Sequence, residues 1–159
     1  MEIIARYELN EPLEDKTLRQ QLKALGVDAR RLSRFTQLAL LGALSLREHL
    51  TQESRLYLGS SFNSPSKFFK MFNNLMQENI PSPLDFMANI NNAATFQIAQ
   101  SLNLQGATVF LALEKENVAQ LFQLAELDLN AGETALIGWV CEHLEGNLPD
   151  QSVWWVVRV

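Results

Sequence analysis

The sequence is short of the residues from which reactive centres and covalent cross-links are built. It has one cysteine, Cys141, and two histidines, His49 and His143. A single thiol excludes an intramolecular disulfide and every multi-thiolate metal site. Two histidines would leave carboxylates to complete a zinc site, so neither a metal nor another cofactor is expected. Charged residues are scarce, 19% of the chain against about 25% in an ordinary soluble domain. More of the surface is therefore apolar or merely polar, which points to a covering partner. The longest apolar runs, Leu38–Leu44, Ala107–Leu113 and Val153–Val157, fall far below the ~20 residues of a bilayer-spanning helix, so no membrane span is expected. Residues 1–20 carry Glu2, Glu8, Glu11, Glu14 and Asp15 and no apolar h-region. The sequence thus reads as that of a cytoplasmic protein without a secretory signal.

What is present suffices for a core. The 159 residues, 47% of them hydrophobic, fit one domain spanning 1–159. The net charge of -5 is unevenly spread: residues 1–50 hold eight basic and seven acidic side chains, and residues 51–159 hold five and eleven. Nucleic-acid binding requires a clustered basic surface. The nearest approach is Arg30, Arg31 and Arg34 at a helix start, read as a solvated face.

Along the chain, Glu2–Leu9 is β-prone and stopped by Asn10-Glu11-Pro12. Leu18, Leu22 and Leu25 then recur at helical spacing up to Gly26. Asp28 is a candidate N-cap for a largely buried helix running to Thr51, with Leu32, Phe35, Leu38, Leu41 and Leu46 on its apolar face. Arg55–Gly59 reads as a short strand followed by a turn cluster, and Phe68, Phe69, Phe72, Leu75 and Met76 as a helix broken by Pro81-Ser82-Pro83. Leu84–Leu102 predicts one helix, with Asn89, Asn91 and Asn92 inside it where propensity disfavours them. The continuous apolar run Ala107–Leu113 predicts a strand at the centre of a sheet. A helix over Val118–Leu127 and strands over Thr134–Cys141 and Ser152–Val159 complete the chain, the strands joined by a turn at Glu145–Pro149. The order β-α-α-β-α-α-β-α-β-β predicts an α/β domain whose mixed sheet of about five strands is flanked by helices.

From Arg31 onward the residues resemble the N-terminal half of a β-ketoacyl-acyl-carrier-protein synthase, a thiolase-like fold. Arg31-Leu32-Ser33-Arg34-Phe35 is similar to that family's Arg-(x)-Arg-Phe helix, and Leu56-Tyr57-Leu58-Gly59-Ser60-Ser61 to its strand and Gly-Ser loop. Ser82-Pro83-Leu84-Asp85-Phe86 with Asn89 and Asn92 resembles the Ser-Pro-x-x-Phe…Asn helix. Leu102-Asn103-Leu104-Gln105-Gly106-Ala107-Thr108 resembles the Leu-x-Leu-x-Gly-Pro-Ser segment, and Gly138-Trp139-Val140-Cys141-Glu142 stands where the family has Gly-Gly-Val-Asp-Glu. Counted without gaps from Gly106, the family's nucleophilic cysteine falls on Lys115, and neither cysteine nor serine occurs in Ala107–Phe122. The family's second half, with its histidines or His/Asn pair, has no counterpart. Because the thioester step needs a thiolate, the resemblance implies a non-catalytic, ketosynthase-like scaffold, comparable to a chain-length factor of polyketide or aryl-polyene pathways. It also implies one half of a thiolase fold, whose helix Val118–Leu127 would lack its cover. A second copy, a full-length ketosynthase or an acyl carrier protein would then be the partner.

Other readings stay open. Phe62, Phe68, Phe72 and Phe86 are candidates to hold an acyl chain, and Asn89 and Asn92 to line a tunnel or an interface, or to satisfy a buried turn. An acyl-thioester hydrolase would need Cys141 or a carboxylate. Cys141 ends an apolar strand beside Glu142 and reads as a buried structural thiol, and its pairing with His143 is not expected, on the view that they point to opposite sides of the strand. His49 reads as a helix C-terminal charge complement, and Lys115, between Glu114 and Glu116, as part of an acid-decorated helix start. Of Trp154 and Trp155, one faces in and the other out.

Overall fold

The computed structural model describes residues 1–144 and 148–159. Five strands, β1 (Glu2–Glu8), β2 (Arg55–Ser60), β3 (Thr108–Ala112), β4 (Thr134–Cys141) and β5 (Gln151–Arg158), form one mixed sheet in the order β1-β5-β4-β2-β3. β2 runs parallel to β3 and β4, and β5 runs antiparallel to β4 and β1. Helices α1 (Asp15–Ala24), α2 (Arg34–Leu44), α3 (Pro65–Glu78), α4 (Pro83–Ala88), α5 (Ala93–Leu102) and α6 (Ala119–Asp128) flank it. The predicted α/β class and mixed five-stranded sheet are those observed.

One face of the sheet is covered by α2. Ser33 caps this helix, its Oγ accepting the Thr36 N–H at 3.1 Å, and every residue from Phe35 to Leu44 is buried. A helix apolar on all sides must be enclosed on all sides. The enclosure comes from β4 and β5 below, and from α1 and α5. Leu18 and Leu22, one turn apart on α1, are fully buried in this cluster, each stabilising the fold by about 1.5–3 kcal/mol. Trp154 packs between Gly42 of α2 and Gly138 of β4, where a methyl group at either glycine would overlap the indole. The opposite face is covered by α6 through Leu121 and Ala125, over Tyr57, Ile137 and Trp139. Tyr57 donates its hydroxyl to Asp128 at 2.9 Å. Burial and that carboxylate push its pKa up to about 12.

Several expected boundaries differ. The buried helix begins at Arg34 rather than after Asp28, and ends at Leu44. Asp28 instead binds Arg30, side chain to side chain at 2.9 and 2.6 Å. His49 lies in a separate 3-10 turn, Arg47–His49, beside Glu48, so it complements no α-helix end. The helix predicted over Leu84–Leu102 is two helices, and the asparagines that propensity disfavours are its break: Asn89 ends α4 and Asn92 precedes α5. Ala107–Leu113 does not occupy the centre of the sheet. β3 is one of its two edges, β1 being the other, with Thr108 and Ala112 exposed and Val109, Phe110 and Leu111 half-buried. The turn expected at Glu145–Pro149 lies partly outside the described residues.

Candidate functional site

At the C-terminal ends of β2, β3 and β4, the structure brings Ser61, Lys115, Cys141 and His143 into one region. Lys115 opens a 3-10 turn, Lys115–Asn117, rather than the α-helix itself. It donates to Gln151 Oε1 at 2.7 Å and sits 5.7 Å from the Trp139 ring centroid. An exposed ammonium so engaged is a surface contact and not a desolvated amine.

Cys141 Sγ lies 3.6 Å from His143 Nε2 and 3.7 Å from Ser61 Oγ. This overturns the expectation that the two side chains diverge, because residues two apart on a strand share a face. Burial pushes the thiol up, and Asp150, Glu114 and Glu142 add to the shift, against a lowering contact from Ser61. A thiol held protonated is a weak nucleophile. On the other face Glu142 is 5% exposed and one carboxyl oxygen has no hydrogen-bond partner. Arg34 is not part of a solvated face: it reaches Asp150 at 2.7 Å, Asp15 at 2.5 Å and the Leu13 carbonyl, tying the approach to α1 to the start of β5. Among the described residues no three metal-ligating side chains cluster, and no helix is long and apolar enough to cross a membrane.

The apolar candidates lie elsewhere. Phe62, Phe68 and Phe72 do come together, with centroids 5.6 and 6.2 Å apart. They form an exposed cluster rather than an enclosed pocket, at 45, 36 and 47% exposure. Phe86 is separate, lining a shallow cleft with Met71, Leu75, Pro81 and Met87. Asn89 donates to the Asp85 carbonyl at 2.7 Å, satisfying the end of α4. Asn92 is exposed and borders a groove of about 440 Å³ with Leu84, Met87, Ile90 and Phe96. The fourteen-residue α3 buries only Pro65. Of the seventeen exposed large hydrophobic side chains among the described residues, twelve fall between Phe62 and Phe96.

β3 extends this unpartnered region. Leu56 N–H donates to the Ala107 carbonyl and Leu113 N–H to the Ser60 carbonyl. Since backbone groups alternate along a strand, the N–H and C=O groups of Thr108, Phe110 and Ala112 face the open side. α5 packs against β3, which places the open edge and the apolar helices on one side of the molecule. The helix expected to lack its cover is a different case. α6 turns Leu121 and Ala125 inward and carries Gln120, Gln123 and Glu126 outward, with Leu127 its one large exposed apolar residue. Of the two adjacent tryptophans Trp154 is the buried one, while Trp155 on the other face is half-buried against Phe122, with ring centroids 5.3 Å apart.

No family model and no curated relative matches this sequence. Solved structures do. A ketosynthase in complex with its chain length factor, from Xenorhabdus doucetiae, superposes with a TM-score of 0.70 and 15% identity, over 99% of this chain and 78% of that one. The chain has the ketosynthase fold. The ishigamide ketosynthase/chain length factor superposes with a TM-score of 0.65 and 14% identity over 89% of this chain. This chain spans about half, 47%, of that ketosynthase-fold neighbour. The open edge and exposed helices belonged to no sequence motif. The signal available was the low charge content, together with an apolar helix, α3, that the chain's own core does not bury.

Proposed function

We propose that this chain is a non-catalytic ketosynthase-like subunit that acts by pairing with a full-length ketosynthase in a fatty-acid or polyketide-type, including aryl-polyene, pathway. The observation that carries the reading is the open β3 edge flanked by exposed apolar residues of α3, α4 and α5. A long apolar edge is a pairing surface unless charge or a covering element blunts it, and patches of this kind mark interfaces. The two neighbours are named as ketosynthase and chain-length-factor assemblies, which favours a ketosynthase over a second copy as occupant. The polar outer face of α6 removes the argument for a second copy stacked on that layer. The raised thiol of Cys141 and the engaged Lys115 count against a residual acyl-thioester hydrolase, and the exposed phenylalanine cluster against an acyl-chain carrier. We place this single-domain subunit in the cytoplasm and leave an acyl carrier protein as a further partner of the pair.

Co-expression with ketosynthases of such pathways, followed by light scattering of the purified material, tests the reading. A 1:1 complex is expected. Ala112→Pro, at an exposed position, removes an N–H on the open side without removing a bond of the ladder to β2, and should abolish that complex while leaving the thermal transition in place. Failure to form any complex, or complexes unaffected by Ala112→Pro, would overturn it.

A further inference from the structure

Three of the four methionines, Met71, Met76 and Met87, fall on α3 and α4. The fourth, Met1, precedes β1 at the opposite edge of the sheet. The buried core holds none and is filled instead by leucine, isoleucine, valine, alanine and aromatic side chains. Leucine would cover a partner about as well as methionine does. What methionine adds is an unbranched, polarisable thioether, and that sulfur accepts an oxygen atom from a peroxide.

Accessibility separates the three. Met76 is 67% exposed and Met87 60%. Met71 is half-buried, and its sulfur accepts from Asn89 Nδ2 at 3.7 Å. Met76 stands one turn beyond Phe72, on the same side of α3. Met87 lies where two depressions meet. It lines the cleft of about 360 Å³ between α3 and α4 with Met71, Leu75 and Phe86, and borders the groove that holds Ile90 and Phe96. The one thiol, Cys141, packs in the separate core cluster beneath α6, where burial keeps it protonated. An oxidant therefore meets the sulfur of the apolar face before any sulfur of the core.

We propose that Met76 and Met87 form an oxidation site, at which a hydroperoxide converts both thioethers to sulfoxides and so withdraws the α3–α4 face from apolar association. In each conversion a sulfur lone pair attacks the terminal peroxide oxygen, and the S–O bond forms as the O–O bond breaks. The proton on the transferred oxygen passes to the departing one, which leaves as water or an alcohol. Sulfur is oxidised by two electrons and the peroxide reduced by two. A dithiol reverses the change, becoming a disulfide while the sulfoxide oxygen leaves as water. The sulfoxide is polar and must lose its own hydration when another surface covers it. The consequence for pairing rests on the reading given above. The site and its effect on apolar contact do not.

The full chain is treated with hydrogen peroxide and followed by peptide mass spectrometry, with bis-ANS fluorescence reporting the apolar face and a thermal melt reporting the fold. Met76 and Met87 are expected to gain one oxygen each at least about fivefold faster than Met71 and Cys141. Probe fluorescence should fall at least about twofold as they do, and recover with dithiothreitol and methionine sulfoxide reductases. In Met76→Leu/Met87→Leu it should be the same before and after peroxide, although Met1 is still oxidised. Oxidation of Cys141 ahead of both methionines, a thermal transition lost in step with the two sulfoxides, or fluorescence undiminished after both have formed would overturn the proposal. Where the untreated chain forms its complex with a ketosynthase, the oxidised chain should do so at least about tenfold more weakly, and equal pairing would count against the switch. An untreated chain that pairs with no ketosynthase tells against the pairing reading alone, and the fluorescence result then decides.

Discussion

Cys141 Sγ and His143 Nε2 are 3.6 Å apart at the C-terminal end of β4. The Cys141 thiol is raised by burial, and the neighbouring carboxylates add to the shift.

It follows that Cys141 should be slow toward electrophiles. At pH 7.5 its alkylation by iodoacetamide is expected to run at least about tenfold slower than that of a free cysteine, with a pH profile whose midpoint lies above the thiol's ordinary value. A midpoint well below that value would identify a thiolate–imidazolium pair and return the chain to the hydrolases.

Glu142 sets a pH dependence of stability. Burial raises its pKa and Asp150 adds to this, while Ser66, Arg34 and the Phe35 N–H pull it down. With the folded value above the ordinary 4.5, the native state binds the proton more tightly than the unfolded chain does. The stabilisation is full below 4.5 and is lost as pH rises through the folded value. Urea midpoints measured from pH 4.5 to 8 should fall by this term, and Glu142→Gln should flatten the slope. An unchanged slope in the variant would assign it to another group.

Gly138→Ala should be costly. The added methyl would overlap the Trp154 ring, which has Gly42 on its other side and so cannot withdraw toward α2. Overpacking of a full core costs about 1–3 kcal/mol, and the variant should show that loss by urea denaturation. Pairing it with Trp154→Phe should recover part of it, since the smaller ring vacates the space.

Where one chain segment supplied both the pattern and the burial, the sequence was readable. α1, α6, β2, β4 and β5 lie close to their predicted places, because their apolar residues pack within this chain. Ala107–Leu113 was misplaced for a physical reason: a continuous apolar run records that a strand avoids water, without recording whether its own chain or another covers it. The same ambiguity hides the role of Phe68, Phe69 and Phe72. Their helical spacing predicts α3 correctly, but a core helix and an interface helix share that spacing. The Asn89–Asn92 break was visible as a conflict of propensity. The meeting of Cys141 and His143 follows from the two-residue period of a strand.

β5 enters the sheet between β1 and β4, pairing Arg158 with Glu2 on one side and Thr134 on the other. β1 therefore has no sheet neighbour during synthesis until β5 has emerged. Until then α2, buried along its whole length in the finished protein, lacks the β5 side of its enclosure, including Trp154. Such long-range closure makes folding slow and leaves apolar surface open on the ribosome. Removing β5 should shift the chain from the soluble to the aggregated fraction, a dependence on β5 that no local change in α2 would relieve.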